Sequence, residues 1–187
     1  MADTGDEATR TDHTLVTAAR GGSAEAFARL YQRHAPLLLR VLIRQTGDRE
    51  LAADLMQETF TDAWRSMDRL ATEQSFALWL SAIARNNRRA ATRRARLRRF
   101  VPLEWVYRGV PSPVRDRAGE TVAEADLQQR VLDDLSPALR EVLVLSVVGG
   151  FDGNEIARVL HLTPAAVRQR LVRAREEFAR RYRERDT

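Results

Sequence analysis

The chain has 187 residues, no cysteine and a net charge of +5, and all 31 of its basic residues are arginine. That length fits one domain or two small ones. The missing cysteines exclude a disulfide scaffold, a thiolate zinc site, an Fe–S cluster and a cysteine nucleophile, and the three scattered histidines (His13, His34, His161) argue against an all-histidine metal site.

No apolar run approaches the roughly 20 residues that cross a bilayer. The start of the chain carries Asp3, Asp6, Glu7 and Asp12 instead of the basic and apolar stretches of a signal peptide. The expectation is a cytoplasmic protein with no membrane insertion, and residues 1–13 read as a disordered acidic tail. The arginine-only balance fits phosphate partners, because the guanidinium fork matches phosphate oxygens, and it fits GC-rich genome drift equally well.

Periodicity predicts helices throughout. Leu15 to Arg20 reads as a short helix closed by Gly21-Gly22. Ser23 is placed to cap the next one, which is expected to bury Phe27, Leu30 and Tyr31 and to kink or break at Pro36. After Gly47-Asp48 a helix is expected from about Arg49 to Met67, with Leu51, Leu55, Phe60, Ala63, Trp64 and Met67 at helical spacing. Another runs from about Phe76, with Trp79, Leu80 and Ile83 inward, into a stretch from Arg85 to Arg99 that holds eight arginines and no acid. From Phe100 to Glu120 the chain holds Pro102, Gly109, Pro111, Pro113 and Gly119, a linker signature. The fold class is therefore all-α: two small helical domains joined by an irregular linker.

The second domain holds the clearest constellation. Ser136-Pro137 starts a helix expected to bury Leu139, Val142, Leu143 and Val147. Asp152 and Glu155 form a capping-box pattern before a short helix with Ile156, Val159 and Leu160 inward. A three-residue turn, His161-Leu162-Thr163, leads to the last helix. There Val167, Leu171, Ala174 and Phe178 make a core stripe, and Ala165, Ala166, Gln169, Val172 and Arg173 lie opposite, flanked by Arg168, Arg170 and Arg175. Two short helices with a tight turn, the second small and basic at its start, describe a helix-turn-helix that enters a DNA major groove.

The segment LSPALREVLVLSVVGGFDGNEIARVLHLTPAAVRQRLVRAREEF resembles the promoter −35-reading domain of bacterial sigma-70 family factors. AFARLYQRHAPLLLRVLIRQTGDRELAADLMQETFTDAWR resembles their segment that binds core RNA polymerase, and FALWLSAIARNNRRAATRRARLRR their segment that melts and reads −10. Having only these two domains, the chain is similar to the extracytoplasmic-function (ECF) group. The resemblance implies residues 14–99 as the region 2 domain, 100–121 as linker and 122–187 as the region 4 domain. It implies core RNA polymerase (β′ clamp helices and β flap), promoter DNA and an anti-sigma factor as partners, with no small-molecule substrate, no cofactor and no catalysis of its own.

By spacing alone Glu50, Asp54, Glu58 and Asp62 form one acidic stripe, either solvated or a docking surface. The resemblance makes it the polymerase-docking surface, with Asp54, Leu55, Gln57, Glu58 and Phe60 matching the family pattern. It places −10 DNA on Arg85, Asn86, Arg89 and Arg93, and a loop that holds a flipped base at about Ala71 to Phe76. It places −35 DNA on Thr163, Ala166, Arg168, Gln169, Arg170, Val172 and Arg173. In the linker, Glu104, Asp116 and Glu120 are placed to mimic nucleic-acid charge inside polymerase, and Trp105 and Tyr107 either anchor the segment or pack on a domain. His161 stands where the family turn commonly has glycine, so a left-handed backbone is expected there. Outside this family, the readings are a stand-alone helix-turn-helix regulator, an RNA-processing enzyme, which lacks a catalytic constellation, and an interaction module with a merely solvated basic face.

Overall fold

The computed structural model describes residues 4–71, 75–98 and 122–185, with side chains for 12–71, 75–95 and 123–185. The described elements are helical: α1 (Thr4–Arg20), α2 (Ala24–Thr46), α3 (Arg49–Arg65), a 3-10 turn (Met67–Arg69), α4 (Phe76–Arg98), α5 (Val122–Asp134), α6 (Pro137–Val147), α7 (Gly153–Leu160) and α8 (Pro164–Arg185). Two compact units form, one from residues up to Leu39 with Ala53–Pro102, the other from Arg40–Ala52 with Leu103–Thr187.

In the first unit, α1 starts at Thr4 and not at Leu15. Periodicity misses this because the anchor is polar: Asp12 accepts from Arg33 Nη1 at 2.7 Å and meets His34 Nε2 at 2.8 Å. Burial pushes the Asp12 carboxyl up, but the hydrogen bonds and charges of His34 and Arg33 outweigh it and hold the group below the ordinary carboxylate value. The His34 ring rests 5.1 Å from that of Phe76, so the same histidine touches both α1 and the first turn of α4. Arg20 Nε donates to the carbonyl oxygen of Met67 at 3.3 Å and ties the other end of α1 to the 3-10 turn.

α1 closes in a Schellman arrangement, Ser23 N to Ala18 O at 3.1 Å and Gly22 N to Ala19 O at 3.0 Å, with Gly22 at φ 91°. Ser23 Oγ then caps α2 by accepting from Ala26 N at 3.2 Å. α2 runs through Pro36 as one helix, so the break expected there does not occur. A proline removes one backbone hydrogen bond. Buried Leu30, Ala35 and Leu38 on both sides of it hold the helix in register. Leu55, Phe60, Ala63, Met67, Leu70, Phe76, Leu78, Leu80 and Ala84 complete this core.

In the second unit, α8 is the central element, packed by α5, α6 and α7. Val131, Leu135, Val142, Val144, Ile156, Leu160, Val167 and Ala174 are buried there. α6 buries Val142 and Leu143 as expected, but Val147 is 68% exposed, and Val144 and Leu145 take the inner positions nearer the helix centre. Ser136 precedes Pro137 as expected, yet its hydroxyl makes no cap; its carbonyl accepts from Leu139 N and Arg140 N instead.

Candidate nucleic-acid interface

The first unit presents α4 and the part of α3 from Ala53 on. There Asp54 and Gln57 are exposed; Glu50, at the helix start, is also exposed and belongs to the second unit. Leu55 and Phe60, matched to the docking pattern, are buried, which makes them supports for α3 and not its outward contacts. Their spacing puts them on the inner face of the same helix that carries the acids. The lower half of the acidic stripe faces α4. Asp62 Oδ2 accepts from Asn87 Nδ2 at 3.0 Å, and Glu58 lies 3.5 Å from Arg94 Nη2.

Beside the stripe is an aromatic edge, made by Tyr31, which is expected to be buried, and Trp64, which is expected to serve partly as core. Trp64, seven residues after Gln57 and so on the same side of α3, is 40% exposed, and Tyr31 is 38% exposed. Their rings make tilted contacts with Phe27, 4.9 Å from Trp64, and with Phe60, 4.6 Å from Tyr31. The signal was present: both aromatics sit at the margin of the apolar stripe.

On α4 the four expected −10 residues separate. Arg85 is only 9% exposed and has partners inside the protein, so the expectation of a surface Arg85 is corrected. Asn86, Arg89 and Arg93 are exposed and share one face at i, i+3 and i+7. Asn87 and Arg94 turn to α3. Much of the loop expected to hold a base (72–74) and the linker residues Glu104, Trp105, Tyr107, Asp116 and Glu120 lie outside the described residues.

The second unit holds the helix-turn-helix. Asp152 Oδ1 accepts from Asn154 N (2.7 Å) and Glu155 N (2.8 Å), while Glu155 Oε2 accepts from Asp152 N (2.9 Å), a complete capping box. α7 ends at His161, whose φ 54° and ψ 50° are left-handed, as expected. Leu162 N to Ala157 O (2.9 Å) and His161 N to Arg158 O (3.4 Å) close the same Schellman pattern that glycine closes after α1. Thr163 Oγ1 accepts from Ala166 N at 3.2 Å and fixes the first turn of α8.

From that turn, Arg168, Gln169, Val172 and Arg173 project to solvent, while Ala166 and Arg170 are partly covered. The arginines of α8 divide along its length. Arg180 pairs with Glu184 (2.9 Å), Arg181 with Asp134 (3.8 Å) and Glu177 (3.7 Å), and Arg185 with Asp134 (2.7 Å). Among the described residues no ion pair reaches Arg168, Arg170, Arg173 or Arg175. Among the described residues the positive charge near the turn thus has no ion-pair partner, which suits a polyanion. Among the described residues no cluster of His, Asp and Glu is arranged to hold a metal ion, and no helix is long and apolar enough to cross a membrane.

The sequence matches the family models for Sigma-70 region 2 over residues 30–98 and Sigma-70 region 4 over residues 128–178. It is 34% identical over 162 residues to RNA polymerase sigma factor CarQ of Myxococcus xanthus, covering 85% of this chain and 90% of that one. It is also 31% identical over 171 residues to ECF RNA polymerase sigma factor SigM of Mycobacterium tuberculosis, covering 91% of this chain and 84% of that one. The chain belongs to the ECF group of the sigma-70 family. The solved structure of the sigma factor CnrH with the cytosolic domain of CnrY is similar at a TM-score of 0.68 and 27% identity, covering 90% of this chain and 95% of that one. The sigma factor RpoE bound to the anti-sigma factor NepR from Bartonella quintana shares the fold at a TM-score of 0.72 and 22% identity, over 86% of this chain and 98% of that one.

Proposed function

We propose that this sigma factor directs core RNA polymerase to specific promoters, with α8 reading the −35 element and α4 engaging −10. The observation that supports this most is the division of arginines on α8. Among the described residues, those near the turn have no acidic partner beside Gln169 and Val172, and Arg180, Arg181 and Arg185 at the far end pair with Glu184, Glu177 and Asp134. Arg168 and Arg170 hold phosphates, while Gln169 and Arg173 meet base edges. Thr163 and Ala166 set the helix start close to the groove. On the other unit, Asn86 contacts a base of the opened −10 element, and Arg89 and Arg93 follow its backbone.

Core polymerase docks on the outward part of α3, through Asp54, Gln57 and Glu58, with Leu55 and Phe60 holding the helix from within. Residues 14–99 and 122–187 act as the two functional domains, and 100–121 as the linker between them. The chain performs no catalysis; nucleotide addition belongs to the core enzyme, in the cytoplasm. CnrH, whose structure was solved with the cytosolic domain of CnrY, supports a protein that binds the sigma factor as a further partner, and an anti-sigma factor is the kind proposed.

A gel shift with promoter DNA, with and without core polymerase, tests this reading. Sequence-specific binding only with core is expected. Equal specific binding by the chain alone would favour a stand-alone helix-turn-helix regulator.

A further inference from the structure

Val172 is out of place on an arginine-rich helix. It is 54% exposed, one turn after Arg168 and Gln169 and directly before Arg173, on the side of α8 opposite buried Val167 and Ala174. A β-branched residue lowers helix propensity relative to the alanine or arginine that surround it. Burial inside the unit does not offset that cost, because more than half of the side chain meets solvent.

Resting on the proposal that α8 reads −35, we infer that Val172 selects a thymine by contact with its C5-methyl group, so that the element carries an A·T pair within the steps reached by Gln169 and Arg173. The thymine methyl is the apolar feature that a base pair presents in the major groove, and valine has no donor or acceptor with which to read any other. The surroundings bring the helix close enough. Ala165 and Ala166 are small, and Arg168 and Arg173 make no ion pair among the described residues. The surface also has an end: Glu176, exposed on the same face one turn on, opposes phosphate, which confines base reading to the first turns of α8.

The test uses holoenzyme assembled from the chain and core polymerase, on a −35 sequence selected from a randomised library. Each thymine of both strands is replaced in turn by deoxyuridine, which removes the methyl and nothing else. The wild type is expected to lose about fourfold in promoter binding at one position, the worth of one buried methyl. Val172→Ala is expected to bind both templates equally, and Val172→Thr, which keeps one methyl, to retain the sensitivity. A selected element with no A·T pair, a flat scan for the wild type, or full sensitivity in Val172→Ala overturns the inference. If Gln169→Ala and Arg173→Ala still relax −35 preference, only the methyl contact falls. If every −35 sequence is used equally, the assignment of α8 falls with it.

Discussion

Asn87 Nδ2 donates a 3.0 Å hydrogen bond to Asp62 Oδ2, joining the helix that carries the basic face to the helix that carries the acidic one. Neither residue is fully exposed, so the pair holds α3 and α4 in a defined register. It also removes Asp62 from the acidic surface that a partner meets, leaving Asp54 and Gln57 outward and Trp64 beside them.

Breaking this pair lowers stability without touching the outward residues. Asp62→Ala and Asn87→Ala each cost about 1–2 kcal/mol in urea unfolding, because a half-buried partner is left unsatisfied. The double variant costs less than the two singles together, which identifies a direct coupling. Strictly additive losses in a double-mutant cycle would mean that the contact contributes nothing.

His161→Gly stabilises the protein by about 1 kcal/mol, since a left-handed residue with a Cβ is strained where glycine is not. The φ of 54° and the Schellman hydrogen bonds around it make glycine compatible with the turn. A lower melting temperature for the variant would show that the imidazole makes an interaction worth more than the strain.

Asp12 makes the docking of α1 sensitive to acid. Its carboxyl is held below the ordinary value, so its stabilisation is complete above the unfolded value of about 3.9 and is lost as pH falls through the folded one. Asp12→Asn therefore costs about 1–3 kcal/mol at pH 7, and the variant and wild type converge as the carboxyl of the wild type protonates. Urea midpoints across pH 2.5 to 7 (~0.5-unit steps) measure the difference; a gap that stays constant to the acid end contradicts the role of the ionised carboxylate.

The two halves of the α8 arginine run respond oppositely to truncation. Arg173→Ala weakens −35 binding by roughly 1–3 kcal/mol and relaxes base preference, and Arg168→Ala lowers the salt slope of binding by about one. Arg185→Ala, which loses its partner Asp134, leaves both readouts unchanged and lowers thermal stability slightly. Holoenzyme binding to matched and mismatched promoters across salt concentrations separates the two classes.

The helical architecture and the helix-turn-helix were legible because both depend on local rules. The capping box at Asp152 and Glu155, the turn at His161 and the inward stripe of Val167 and Ala174 follow from spacing and cap chemistry alone. What was not legible depends on partners distant in sequence. The helix start at Thr4 is associated with Asp12 meeting Arg33 and His34, and α2 passes through Pro36 with Leu30, Ala35 and Leu38 buried around it. Arg85 reads like its neighbours in a basic run, yet the packing of α4 turns it inward while Asn86 and Arg89 stay outside. Leu55 and Phe60 lie within the family pattern for docking, and only their burial separates support from contact.

The most direct measurement is run-off transcription with purified core RNA polymerase on genomic fragments. Addition of this chain is expected to produce discrete transcripts that core alone does not make, and Asp54→Arg to abolish them together with co-purification of core. Absence of promoter-specific transcripts with the folded chain, or undiminished transcription and co-purification with Asp54→Arg, would contradict the account.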